Sequence, residues 1–127
     1  MTAQVVTLTE DPVRYAIRQV KWDWLSTDAG AVSSATTLEY TGVILKAIFK
    51  SDAASTDPTD LYDVTILDDN GFDVLLGNGA NITKAATVQK TNSDASMFIK
   101  GTKLTLTISA AGNAKGGEVY LYIAKWD

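Results

Sequence analysis

Val119-Tyr120-Leu121-Tyr122-Ile123-Ala124 alternates two kinds of residue without a break. Val119, Leu121 and Ile123 share one parity, and Tyr120, Tyr122, Ala124 and Trp126 share the other. That period of two is the period of a strand, whose successive side chains point to opposite faces. Immediately upstream, Leu104, Leu106 and Ile108 alternate with Thr105 and Thr107, and the two runs flank Ala110-Ala111-Gly112-Asn113-Ala114-Lys115-Gly116-Gly117. Two alternating runs around a glycine-rich stretch read as a β-hairpin.

The same period extends towards the N-terminus. Tyr62, Val64 and Ile66 form the apolar face of another strand, and Asp68-Asp69-Asn70-Gly71 follows as a turn, with a returning strand expected over 72–76. An Asn-Gly pair between two β runs is a strong hairpin signal. Over 38–50, Val43, Leu45, Ala47 and Phe49 read as one face, with Gly42 marking a bend or bulge. Val20, Trp22 and Trp24 alternate with Lys21 and Asp23, but Val13, Tyr15 and Ile17 lie on the opposite parity. A one-residue shift flips every side chain, so a bulge or break is expected near Arg18-Gln19. Residues 3–10 read as a short strand, either the first of the domain or an arm that adds to a neighbour's sheet. Small polar residues mark loops at 26–37, 51–60, 77–80 and 92–96, and 82–89 is the one place for a short helix. Pro12 and Pro58 fall outside the strand interiors.

The expectation is an all-β fold with strands over 13–24, 38–50, 61–67, 72–76, 102–109 and 118–125. The chain reads as one domain, 1–127, with 1–12 as N-terminal arm or edge strand. Short strands with near-regular turns suggest an antiparallel β-sandwich or barrel, jelly-roll-like, with at most one short helix. Periodicity leaves sandwich and barrel open.

Composition narrows the chemistry. At 127 residues, 46% hydrophobic and 20% charged, the chain can bury one core. It contains no cysteine and no histidine. Disulfides, thiolate nucleophiles, Ser-His-Asp and Cys-His constellations and the commonest transition-metal ligands are therefore excluded. The net charge of −4 argues against a nucleic-acid partner, which would need a basic surface. No apolar run is long enough for a helical membrane span, and the first ten residues show no signal-peptide pattern, so the cytoplasm is the expected site of synthesis.

Two motifs invite chemistry and are better read as turns. Asp57, Asp60, Asp63, Asp68, Asp69 and Asp73 suggest calcium, but the Asp68-Gly71 stretch matches only the middle of a calcium loop, and no glutamate lies between Glu39 and Glu118. Asp and Asn bond their own backbone in turns. Gly112 to Gly117 lacks the G-K-[ST] order and the following helix of a phosphate loop. No catalytic residue, metal site or cofactor is expected, and an enzyme is the least expected class.

The aromatic rows carry the functional reading. Trp22 and Trp24 share one face of a strand, and Tyr120, Tyr122 and Trp126 share one face of another. In a two-layer domain one face fills the core, and a surplus aromatic face suits a partner. Trp22, Trp24, Tyr120, Tyr122 and Trp126 are thus the candidate interface residues.

Val20-Lys21-Trp22-Asp23-Trp24, Tyr62-Asp63-Val64-Thr65, Gly71-Phe72-Asp73-Val74-Leu75, Gly79-Ala80-Asn81 and Ala111-Gly112-Asn113-Ala114-Lys115-Gly116-Gly117 occur in that order. The combination resembles a group of small structural proteins of tailed bacteriophages, over about residues 20–123. The resemblance implies a non-enzymatic virion component made in the host cytoplasm, first of all a capsid decoration (cement) protein. It implies as partners the major capsid protein or another virion protein, and homo-oligomers on the particle, with neither nucleic acid nor membrane involved. A head–tail connector, tail or baseplate component is the alternative within that class. A carbohydrate-binding β-sandwich is the alternative of another class.

Overall fold

A computed structural model describes residues 3–92 and 97–125. The fold is all-β, with two antiparallel sheets and no helix longer than a single 3-10 turn at Ala54–Thr56 among the described residues. The strands are β1 (Val5–Glu10), β2 (Ile17–Leu25), β3 (Val32–Ala35), β4 (Tyr40–Ser51), β5 (Asp63–Leu67), β6 (Val88–Thr91), β7 (Phe98–Thr102), β8 (Thr105–Ser109) and β9 (Gly116–Lys125). The larger sheet runs β1-β2-β9-β4-β6, with β7 also pairing to β4; the smaller runs β3-β8-β5. From β2 to β5 the chain changes sheet at every strand. The segment 72–82 then follows the outer edge of β5, through Val74 N–H to the Ile66 carbonyl (2.8 Å), Val64 N–H to Gly79 (2.7 Å) and Ile82 N–H to Tyr62 (2.8 Å). With that segment beside β5, the order is that of a jelly roll, a double-sheet solution to unpaired edges. β1 is an additional strand on the edge of the larger sheet.

One core lies between the sheets. Val20, Trp22 and Trp24 of β2, Phe49 of β4, and Val119, Leu121 and Ile123 of β9 meet Val64 and Ile66 of β5 and Leu106 and Ile108 of β8. The alternation seen in the sequence is therefore the alternation of core and solvent. Trp24 packs against Tyr62 across the layers, with ring centroids 5.7 Å apart. Gly117 lies opposite Trp24 on β9, and a side chain there would collide with the Lys50 carbonyl of β4 at 2.5 Å and press on the indole, 3.0 Å from its Cζ2. Gly116 and Gly117 thus belong to β9 rather than to the loop, and Gly117 makes room for the largest core residue. Gly42 has φ +152° on β4, and a Cβ there would collide with the carbonyl of Ala124 on β9.

Four expectations change. β2 is regular from Ile17 onward, so there is no bulge near Arg18-Gln19. The parity of Val20, Trp22 and Trp24 continues to Arg18, which is buried, while Val13 and Tyr15 lie exposed in the β1–β2 connection. One bulge lies at Leu45, between the pairs Ile44–Ile123 and Lys46–Tyr122, and a second register shift, against β7, falls between Tyr40 and Gly42, where the bend was expected. The Leu45 bulge places Val43 and Leu45 outside and Ala47 and Phe49 inside, splitting the single face expected for the four. The turn at 68–71 forms as expected, but residues 72–76 form no strand, because the Asp73 carboxylate takes the N–H groups of Ile66, Leu75 and Gly77 and curls the chain. Finally, 82–89 holds no helix, and 88–91 is β6. The N-terminal stretch is an edge strand, with all six residues of β1 in register with β2.

Candidate interaction surface

The outer face of the larger sheet is built from cross-strand rows. Lys21, Tyr120, Ile48 and Gln89 form one row across β2, β9, β4 and β6; Gln19, Tyr122, Lys46 and Thr91 form the next. Asp23, Glu118 and Lys50 form a third. Neighbours in such rows interact directly. The Lys21 ammonium lies 5.6 Å from the centre of the Tyr120 ring, and that of Lys46 lies 5.1 Å from the centre of Tyr122. Both distances suit an attraction between cation and ring face. Both tyrosines are half-buried by these flanking chains, while Ile17 and Leu45 stand exposed on the same face.

Glu118 ties the face together. It accepts from Lys21 Nζ at 2.9 Å and from the Tyr120 hydroxyl at 2.9 Å, with Lys50 Nζ at 3.6 Å. The Lys21 hydrogen bond holds its carboxyl below the usual value despite partial burial. Burial and the bond to Glu118 push Tyr120 up. The face is thus rigid, amphipathic and charged in both signs.

The two aromatic rows separate by face. Tyr120 and Tyr122 are on this outer surface. Trp22 and Trp24 are not: they are 0% and 2% exposed, and their role as interface or sugar platform is corrected to core. The reason is register, since Trp22 pairs with the buried Val119 and Trp24 with Gly117. Neither indole N–H has a hydrogen-bond partner among the described residues. Trp126 lies outside the described residues.

The aspartates serve the backbone. Asp68 Oδ1 accepts from Asn70 and Phe72 N–H, Asp63 from Asn81 N–H and Asp60 from Lys84 N–H, while Asp57 pairs with Lys84 Nζ at 3.0 Å. Among the described residues no three acidic groups converge on a point where a metal ion could be held.

A polar cluster that sequence reasoning missed closes one end of the sandwich. Glu10 faces inward from β1 and accepts from the Tyr40 hydroxyl (2.8 Å), the Thr37 hydroxyl and the N–H groups of Thr37 and Leu38 (both 3.3 Å). Burial raises its pKa, but these donors outweigh it and leave the carboxyl below its usual value. The Arg18 guanidinium stacks 4.1 Å from the centre of the Tyr40 ring, and two of its nitrogens have no partner among the described residues. Burial, joined by the bond to Glu10, raises the Tyr40 pKa well above the ordinary phenol value. The signal was available: counting back in twos from Trp24 passes through Val20 and arrives at Arg18.

No protein-family model, curated protein or solved structure matches this chain.

Proposed function

We propose that the protein is a non-enzymatic structural component of a tailed-phage virion, and that it acts as a decoration protein cementing the capsid through the outer face of its larger sheet. The observation that carries the reading is the Tyr120–Tyr122 face. It displays two braced aromatic rings in a field of lysine and glutamate, on a domain whose Trp22 and Trp24 are committed to the core. Tyrosine is enriched at interfaces, and interface energy concentrates in a few such residues. The ordered resemblance over about residues 20–123 supports the virion class. So, by analogy of fold alone, does the jelly-roll strand order, which recurs in viral capsid domains and in lectins.

The mechanism is mass action: a protein that binds only the assembled shell stabilises it over its dissociated state. Repetition over a symmetric shell multiplies modest contacts into avidity. The test is to add the purified protein to capsids that lack it. Saturable binding at hundreds of copies per particle, with raised resistance to heat, is expected. Absence of binding overturns the cement role, and a handful of copies in intact virions assigns a connector, tail or baseplate position instead.

A further inference from the structure

We propose that the protein pairs with a second copy of itself through the free edge of β1, antiparallel about a two-fold axis at Thr7, joining two six-stranded sheets into one.

The edge is open, and its parity is fixed. Asp11 N–H donates to the Gln19 carbonyl at 3.1 Å, and Gln19 N–H donates to Asp11 Oδ2 at 2.8 Å. Hydrogen-bonded pairs alternate along an antiparallel ladder. Thr9, Thr7 and Val5 therefore bond to Lys21, Asp23 and Leu25, and the N–H and C=O groups of Val6, Leu8 and Glu10 point away from β2. Among the described residues nothing pairs with those outward groups.

The other edges are protected in the ways natural sheets protect them. The Gln4 side-chain amide clamps β3, donating to the Ser33 carbonyl at 2.7 Å and accepting from Ser33 N–H at 2.8 Å. Segment 72–82 covers β5. β6 and β7 have only 4 and 5 residues and carry Lys90 and Lys100, and β7 is twisted by Gly101 at φ +52°. From Val5 to Thr9, β1 has no proline, charge or bulge.

The occupant follows from self-complementarity. With Thr7 on the axis, Val6 faces Leu8 of the second copy and Gln4 faces Glu10, all on the parity whose backbone groups are free. Val6 and Leu8 are the half-buried apolar residues at the rim of the core, so the pairing covers the apolar rim of both copies. Val5 faces Thr9 and Thr7 faces Thr7 on the outer side. Centring on Leu8 instead would set Val6 against the Glu10 carboxylate. Centring on Val6 would set Leu8 against the polar Gln4 side chain. Only the Thr7 register sets Val6 against Leu8 on both sides of the axis while keeping Glu10 opposite the polar Gln4.

Thr7 sits on the axis as a non-hydrogen-bonded pair, where Cα atoms approach to about 4.5 Å, within the roughly 4.4–6.8 Å that a disulfide spans. The chain has no cysteine of its own, so one introduced thiol reports the register. The experiment combines sedimentation of the full chain with oxidation of Thr7→Cys and, as control, Thr9→Cys, whose copies stand four residues apart, roughly 13 Å. Expected are a mass twice 13.6 kDa and a cross-linked dimer from Thr7→Cys alone. Thr7→Lys supplies the opposite arm. Within one chain its ammonium would face Asp23, but across the axis like charges would meet, and such pairs destabilise a sheet. It should weaken dimerisation at least about tenfold while the β spectrum stays unchanged and Tm matches wild type at concentrations where both are monomeric. A wild-type mass of 13.6 kDa at millimolar concentration overturns the proposal, as do equal cross-linking of Thr7→Cys and Thr9→Cys or a Thr7→Lys variant that dimerises as well as wild type.

Discussion

Trp22 and Trp24 on β2 and Tyr120 and Tyr122 on β9 are written alike: two aromatic residues two apart, on strands that pair with each other. Their fates are opposite. The tryptophans meet Val119 and Gly117 inside the sandwich, and the tyrosines meet Lys21 and Gln19 outside it. A strand's alternation says that its two faces differ. Which face is covered depends on the second sheet. The residue opposite then matters most: a glycine admits the Trp24 indole, and a lysine braces Tyr120.

The contrast can be broken at several strengths. Trp24→Ala should have the largest effect, a loss of about 3–5 kcal/mol of folding stability, the range for emptying a large aromatic site. Denaturant unfolding measures it, and a loss below about 1 kcal/mol would move Trp24 out of the core. Gly117→Val should cost about 1–3 kcal/mol by overpacking against the Lys50 carbonyl and the same indole, and a double variant with Trp24→Ala should recover only the indole's share of that cost, because those two side chains compete for one space.

Glu10→Gln keeps the shape of the polar cluster and removes its charge, so about 1 kcal/mol is expected from the weakened hydrogen bonds. Its pH dependence has a definite sign. The folded-state pKa of Glu10 lies below the ordinary 4.5. The contribution of the carboxylate to stability is therefore fully present above that value and is lost as pH falls through the lower folded value. Glu118 acts in the same direction. Wild-type Tm should fall as the pH drops below the ordinary 4.5 of a glutamate, and Glu10→Gln should fall less; equal falls would remove Glu10 from the account.

The smallest effect on folding sharpens the contrast most. Tyr122→Ala should change stability by no more than about 1 kcal/mol, the scale of a cross-strand pair. Binding to stripped capsids should drop about thirtyfold, since a hot spot is worth about 2 kcal/mol and 1.4 kcal/mol is tenfold. A variant that unfolds instead would make both rows structural.

What the sequence disclosed followed burial. The strands β2, β4, β5, β8 and β9 were legible because each sets buried residues against more solvent-facing ones. β3, with Val32-Ser33-Ser34-Ala35, looked like a loop because only Val32 of its four residues is buried. β6 and β7 were missed for a related reason: short edge strands borrow their geometry from β4 and need little pattern of their own. The Leu45 bulge was invisible because one extra residue preserves local alternation on both sides while exchanging the faces between them. At the candidate surface, Tyr120 and Tyr122 were identifiable as one face, but nothing within β9 alone could tell that face from the one carrying Trp22 and Trp24.

The position of β9 has a consequence for how the molecule comes into being. β2 and β4 are both in the larger sheet, yet they do not touch as partners; β9 is inserted between them, pairing Ile17 with Ala124 and Ser51 with Gly117. Until residues 116–125 leave the ribosome, two of the longest strands each wait with one side open. Closing such distant pairs carries a large entropic toll before any contact rewards it, which places folding in the millisecond-to-second range of β-sandwiches. During that wait the open sides can pair with other nascent chains. Slower translation upstream of residue 116 should therefore lower soluble yield, and a chaperone that shields apolar strands should restore it.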